Sequence, residues 1–134
     1  MASTPAFPSV GRIGRAVLSA ACTDKTGATT ANIVDILTGV AAGTRIRRVL
    51  IQADGNPADS TVLIFLHNGT DYRLWDDVDI GDPAASSTTV AGYRTERTYE
   101  DLILPSTSWK IAAAITVAPT SGNVNVFAVG GDIT

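Results

Sequence analysis

The chain has 134 residues, the usual length of a single domain, and its net charge is -3 with the two signs interspersed, which argues against nucleic acid as a partner. Charged residues make up 17% of the chain, against about 25% in a typical soluble domain, so few charges are left to coat a free surface. A single cysteine excludes an intrachain disulfide.

The N-terminus predicts an extended arm. Residues 1–14, MASTPAFPSVGRIG, contain two prolines and two glycines with scattered apolar side chains, a composition typical of a segment outside the core. Phe7 and Val10, the main apolar residues of this arm, are candidate partner-binding residues. No basic residue precedes Arg12 and no apolar run is long enough for a signal peptide or a spanning helix, so we expect no membrane partner.

Residues 15–134 predict one all-β domain. Short stretches of β-favouring residues alternate with Gly, Asn, Asp and Pro, and the surplus of Ala, Thr, Val, Ile and Gly favours strands over helices. The stretch 32–37 also fits helical spacing and stays ambiguous. The predicted fold class is an antiparallel β-sandwich, with a jelly-roll as the leading arrangement. The predicted strands are 15–22, 32–38, 44–53, 60–67, 71–80, 88–98, 99–104, 108–118 and 123–130.

Two of these strands have apolar patterns that predict local detail. In residues 44–53 the apolar phase slips, because Ile46 has one parity while Val49 and Ile51 have the other, and a β-bulge between them would reconcile the two halves. In residues 108–118 the large apolar side chains share one parity, which predicts a strand buried on one face and exposed on the other.

Residues 62–66, VLIFL, are apolar on both parities, so this strand is expected to be covered on both faces. A two-sheet sandwich covers only the inner face, and the outward Leu63 and Phe65 therefore need either an overlying loop or another subunit. We take both as candidate partner-binding residues and expect a homo-oligomer, with a trimer as the first expectation. The dipeptide at 68–69, Asn-Gly, predicts a hairpin turn directly after the strand.

Few residues in the chain could carry chemistry. His67 is the only histidine and Cys22 the only cysteine, so we expect no catalytic triad, no zinc site and no enzymatic activity. The run 75–82, WDDVDIGD, is acidic enough to suggest calcium, but its spacing does not match an EF-hand, and a solvated strand end is the favoured interpretation. No metal and no cofactor is predicted. The carboxylates of this run belong to Asp76, Asp77, Asp79 and Asp82.

Aromatic and charged residues leave two further interpretations. Trp75 and Trp109 could stack on sugar rings, although we favour a role as core anchors for both. In residues 94–101 basic and acidic side chains alternate, which is more typical of an exposed ion-pair network than of a glycosidase pair.

Several segments of the chain resemble small virion structural proteins of tailed bacteriophages, of the kind that decorate heads. The resemblance spans roughly residues 44–132 and implies a β-sandwich or jelly-roll decoration protein, often trimeric, that sits on the outside of the capsid lattice. The segments that carry it are TRIRRV (44–49), VLIFLHNGTDYRLWD (62–76), LILP (102–105), SWKI (108–111) and VNVFAVGGD (124–132).

The function that we expect is therefore that of a capsid decoration or cement protein. It would be made in the host cytoplasm, bind the major capsid protein and copies of itself, and stabilise contacts between capsid subunits, with no nucleic acid, membrane or cofactor involved. A phage tail or baseplate subunit is the nearest alternative, and a carbohydrate-binding β-sandwich module is the alternative from a different class.

Overall fold

The structure, a computed structural model, describes residues 8–133, with side chains from Val10 onward. No helix in this range is long and apolar enough to span a membrane. The described chain forms eight strands: β1 (Pro8–Leu18), β2 (Val34–Thr38), β3 (Thr44–Ala53), β4 (Ser60–His67), β5 (Tyr72–Gly81), β6 (Arg94–Leu104), β7 (Lys110–Ile115) and β8 (Val124–Ile133).

The strands form two four-stranded antiparallel sheets. Sheet 1 has the order β1-β8-β3-β6 and sheet 2 the order β2-β7-β4-β5. In sequence order the first strand pairs with the last, the second with the seventh, the third with the sixth and the fourth with the fifth. This pairing is that of a long hairpin rolled into two sheets, which is the eight-stranded jelly-roll, so the predicted fold class is confirmed.

The core lies between the two sheets, where the inward side chains of both interdigitate. One parity of each central strand supplies it, because successive side chains of a strand point to opposite faces. All of these residues are β-branched, Leu or Ala, which suits a pleated and fully buried surface. The best buried are Ile46, Val49, Ile51, Val62, Ile64, Leu104, Ile111, Ala113, Ile115, Val124, Val126 and Ala128.

The first strand corrects the predicted arm. Residues 8–14 lie in β1 and pair with β8, so the prediction of an arm over them is wrong. Gly14 is buried, and a Cβ there would overlap the carbonyl group of Ile36 on β2. This glycine therefore lets the two sheets approach closely at their edge. Residues 1–7, including Phe7, lie outside the described residues.

Other details of the strands can be compared with the sequence. The predicted bulge in β3 is confirmed, because the register against both β6 and β8 shifts between Ile46 and Arg48 and leaves Arg47 as the extra residue. The ambiguous stretch 32–37 contributes to strand β2. The two strands predicted over residues 88–104 are one strand, β6, which begins only at Arg94.

The outer faces of β4 and β7 in sheet 2 are covered by residues 19–33, which we call the covering segment. Cys22 of this segment donates its backbone N–H to the Ile115 carbonyl at 2.7 Å and packs in a second apolar cluster. The other fully buried members of that cluster come from the outer faces of β4 and β7, namely Leu63, Phe65, Ala112 and Ala114.

Leu63 and Phe65 are 0% exposed, so the prediction that they bind a partner is wrong. The sequence analysis allowed either an overlying loop or another subunit to cover these two side chains, and the structure has the overlying loop. The prediction that the strand within 108–118 is buried on one face only is also wrong, because Ala112 and Ala114 are covered by the same segment. Small alanine side chains leave room for it to lie close to β7.

The covering segment is fixed by the carboxylate of Asp24. Its Oδ1 accepts hydrogen bonds from the Thr26 backbone N–H at 2.8 Å and from the Thr26 hydroxyl at 2.6 Å, and its Oδ2 accepts one from the Thr29 N–H at 2.9 Å. These bonds, the Thr26 hydroxyl first, lower the pKa of Asp24 to about 2. Lys25 ties the segment to β5 through Asp77 at 2.9 Å.

We expect Phe65→Ala to lower the free energy of unfolding of the isolated chain by about 3–5 kcal/mol, because it removes a large side chain that is buried within its own subunit. Urea unfolding measures this change. Ile103→Ala, at a side chain that is 45% exposed, is the control and should stay within about 0.5 kcal/mol of wild type. A fall in oligomeric state with unchanged stability would instead place Phe65 in a subunit interface.

Asp24→Ala should loosen the covering segment and speed the modification of Cys22 by a thiol reagent several-fold, because the buried thiol becomes accessible when the segment opens. Asp59→Ala, at an exposed carboxylate on another loop, should leave the rate unchanged. The lowered pKa sets the pH dependence: the contribution of Asp24 is fully present above its ordinary value of 3.8 and is lost as the pH falls through about 2. An unchanged rate in Asp24→Ala would show that these hydrogen bonds do not hold the segment closed.

Candidate interaction surface

The outer face of sheet 1 carries neighbouring apolar side chains, of which Ile13 and Val17 are exposed and Leu50, Phe127 and Val129 are partly buried. Ile13 of β1 pairs with Val129 of β8, and Phe127 of β8 pairs with Leu50 of β3, so these residues are cross-strand neighbours on one face. Ile13 is 71% exposed and Val17, further along β1, is 37% exposed. We call Ile13, Val17, Leu50, Phe127 and Val129 the sheet 1 patch.

Arginines surround the sheet 1 patch. Arg15 pairs with Phe127, and Arg48 pairs with Val129 and lies 3.6 Å from Glu96. The β3 bulge opens a shallow cavity of about 420 Å³ beside the patch, lined by Arg47, Arg48, Thr98 and Val129. A guanidinium group offers a planar set of donors that matches a carboxylate, so this surface suits an acidic partner.

The two sheets differ in charge although the sequence looks evenly mixed. The strands of sheet 1 carry seven basic and four acidic side chains, a net +3, whereas those of sheet 2 carry two basic and four acidic side chains, a net -2. Sequence reasoning missed this difference, because it arises only when strands distant in sequence pair in one sheet. The signal present in the sequence was the arginine cluster of TRIRRV.

The residues singled out for chemistry have structural roles. His67 accepts a hydrogen bond at Nδ1 from the Gly69 N–H at 3.0 Å, and its ring packs 4.5 Å from that of Tyr72, so it fixes the predicted hairpin turn. Cys22 is buried, with its Sγ 3.8 Å from the carbonyl oxygen of Asp24. Val10, the other predicted partner-binding residue of the described chain, is 53% exposed, and its role stays a prediction.

The acidic run on β5 is divided among separate partners. Asp77 pairs with Lys25, which lowers the pKa of the Asp77 carboxyl, whereas Asp76 accepts a hydrogen bond from the Tyr99 hydroxyl at 3.0 Å and lies 3.6 Å from Arg97. Burial and the Asp76 charge raise the pKa of Tyr99, so its hydroxyl stays protonated. Within residues 8–133 no three His, Cys, Asp or Glu side chains come together as a metal site would require.

The two tryptophans line one shallow cavity at the end of the sandwich. Trp109 packs partly buried against the core, as predicted, but Trp75 is 48% exposed, so its prediction as a core anchor is wrong. The register between β4 and β5 shifts between Ile64 and Phe65 and leaves Trp75 as the extra residue of a bulge in β5. The cavity measures about 150 Å³, and its other lining residues are Leu66, Asn68, Asp71, Arg73 and Leu74.

Comparisons with known proteins identify fold relatives but no sequence family. No protein-family model matches the chain, and no curated protein matches it. Among solved structures it is similar to a chain of the acidic stable capsid of Helicobacter pylori bacteriophage KHP30, with a TM-score of 0.56 and 14% identity over 93% of this chain and 89% of that chain. A chain of the cyanophage Pam1 capsid asymmetric unit has a TM-score of 0.46 and 13% identity over 98% of this chain and 93% of that chain. The first of these likenesses shows a shared fold.

Proposed function

We propose that the chain is a non-enzymatic structural protein of a phage virion that binds the outside of the capsid and stabilises contacts between major capsid subunits. The observation that carries the proposal is the sheet 1 patch, a partly exposed apolar surface with Arg15 and Arg48 beside it. The fold shared with a chain of the KHP30 capsid supports a place in a virion. The resemblance of the sequence to phage proteins that decorate heads supports a place on the capsid.

The sheet 1 patch has the chemistry of a protein interface. Aromatic residues and arginine are enriched in interface cores, where apolar side chains exclude water from the charged contacts around them. A standard interface covers about 800 Å² per partner, which is roughly a ninth of the 7097 Å² that this chain exposes.

The charge of the patch indicates which capsid surface it would meet. Arg15 and Arg48 stand beside the apolar side chains, and the strands of sheet 1 have a net positive charge. Guanidinium groups bind carboxylates in paired hydrogen bonds, so an acidic site shared by adjacent capsid subunits is the matching partner. Bound across such a site, one rigid protein would resist the separation of the two subunits.

We keep a homotrimer in the proposal, although one of the arguments for it no longer holds. Its first argument required Leu63 and Phe65 to be buried by another subunit, and the covering segment buries them instead. The remaining support comes from the resemblance and from exposed apolar side chains outside the sheet 1 patch, such as Val90 between β5 and β6.

Ile13→Asp should weaken binding to particles by about thirty-fold, because it places a charge in the centre of an apolar contact, and a hot-spot residue contributes about 2 kcal/mol or more. Occupancy of purified particles at increasing protein concentration measures this loss. Arg48→Glu should also weaken binding, by reversing the charge toward an acidic partner. Both residues are exposed, so the melting temperature of the free protein should barely change.

Val117→Asp is the matched control, since Val117 is 44% exposed and lies outside the sheet 1 patch. It should leave occupancy unchanged. Full occupancy by folded Ile13→Asp and Arg48→Glu proteins would refute the patch as the capsid-binding surface. Binding of wild type to tails rather than heads would favour the tail or baseplate alternative.

The arm prediction can be tested by two deletions that the position of β1 distinguishes. Deletion of residues 1–7 leaves β1 intact, so the melting temperature should stay near that of wild type. The same deletion removes the proposed arm contact, so occupancy on particles should fall. Deletion of residues 1–12 also removes part of β1 and its pairing with β8, so it should lower the melting temperature as well. Phe7→Ala should reproduce much of the shorter deletion. Unchanged occupancy after that deletion would remove the arm from the binding surface.

A further inference from the structure

We propose that the cavity between Trp75 and Trp109 binds one pyranose ring of a glycan. The sheet 1 patch is a separate surface, so this second activity does not depend on the proposed attachment to a capsid. Four features of the cavity carry the proposal: a bulge that exposes one indole ring, contacts that fix that ring, polar groups at the rim, and a volume that suits a single ring.

The bulge in β5 explains why Trp75 is exposed. Opposite Trp75 the pairing advances by one residue on β4, from Ile64 to Phe65, and by two on β5, from Asp76 to Leu74. A bulge of this kind redirects a side chain that regular pairing would fix, and bulges are frequent beside functional sites. Trp75 meets Tyr99 on one side, yet it stays 48% exposed in this edge strand. The bulge brings Trp75 to the same cavity as Trp109.

Contacts on the far side hold the Trp75 ring in place. The Tyr99 ring meets it edge-to-face, with the ring centres 6.0 Å apart and the planes at 69°. Tyr99 is in turn held by the hydrogen bond from its hydroxyl to Asp76. An aromatic ring that is ordered before binding loses little conformational entropy on binding, which is the condition under which a shallow contact can have useful affinity.

The rim supplies the polar groups that hydroxyls require. Asn68 is fixed by accepting hydrogen bonds at Oδ1 from the Thr70 and Asp71 N–H groups, both at 2.9 Å. The carboxylate of Asp71 lies 3.8 Å from the guanidinium of Arg73, which is too long for a hydrogen bond, and both side chains are exposed. A carboxylate, a guanidinium and an amide beside an apolar floor can pair with the vicinal hydroxyls of a sugar whose C–H face lies on an indole.

The size of the cavity limits the ligand. About 150 Å³ is below the roughly 300–1,000 Å³ of sites for drug-sized molecules, so the cavity has room for one ring rather than for an enclosed oligosaccharide. An acyl chain or a peptide side chain would use the apolar floor but leave Asn68, Asp71 and Arg73 without a role. A sugar ring uses both parts of the site.

The chain contains two tryptophans, and both line this cavity, so intrinsic fluorescence reports directly on its occupancy. We would titrate the full chain with methyl glycosides of glucose, galactose and mannose and with N-acetylglucosamine. The expected result is a saturable change of emission for at least one sugar in the millimolar range of Kd. Trp75→Ala and Arg73→Ala should each raise that Kd at least ten-fold, and Trp75→Phe, which keeps an aromatic ring, should recover part of the affinity.

Ile103→Ala, on another surface, is the control and should bind as wild type does. Trp75 is half exposed, so Trp75→Ala should fold normally, and its melting temperature and its occupancy on particles should match wild type. Failure of all four sugars to change the emission would overturn the proposal, as would undiminished binding by Trp75→Ala. Loss of particle occupancy in Trp75→Ala without sugar binding would assign the cavity to a protein contact instead.

Discussion

Burial of β4 and β7 on both faces is the constraint on which the rest of the structure depends. Their inner faces pack against sheet 1, and their outer faces are covered by residues 19–33, whose Cys22 packs in the same apolar cluster as Phe65. Without that segment, β4 would expose a row of large apolar side chains, a pattern associated with aggregation. With the outer faces of β4 and β7 covered, exposed apolar side chains remain on sheet 1, where Ile13 is 71% exposed, and at Trp75 on β5.

Pairing between strands that are distant in sequence then determines which side chains meet on the outer face of sheet 1. The jelly-roll brings β1, β8, β3 and β6 side by side, so arginines from three separate parts of the chain meet on one sheet. In the proposed contact with a capsid, the apolar area of this face would contribute affinity and its guanidinium groups would favour an acidic partner. The Trp75 cavity lies at the end of sheet 2, so the two proposed sites can act independently.

The local pattern of the sequence predicted much of this fold. The apolar phase slip at Ile46 predicted a bulge, and Asn68-Gly69 predicted a hairpin turn, because both features depend on residues close in sequence. The covering of Leu63 and Phe65 by residues 19–33 could not be predicted in the same way, since the contact joins segments that are distant in sequence. The short-range reading of Gly14 as part of an arm failed for a related reason: its role is set by the carbonyl of Ile36 on the other sheet.

The proposed sites could likewise not be predicted from local sequence patterns alone. Val10 could be identified as a candidate from the sequence because it is apolar and lies near proline and glycine. The side chains of the sheet 1 patch are ordinary strand residues, and the pairing register is needed to tell which of them point outward. The exposure of Trp75 depends on a bulge opposite Phe65, and the apolar pattern of the sequence does not predict that bulge. In both cases the proposed binding surface arises from strand pairing rather than from a local sequence motif.

Hydroxyl-radical footprinting of the protein, free and bound to particles, tests the central claim most directly, because it reads the solvent exposure of individual side chains. The account predicts that binding protects Ile13, Phe127 and Val129, while Val117 at the end of the sandwich is labelled equally in both states. Protection confined to other surfaces, with Ile13 labelled as fully on the particle as in solution, would contradict it.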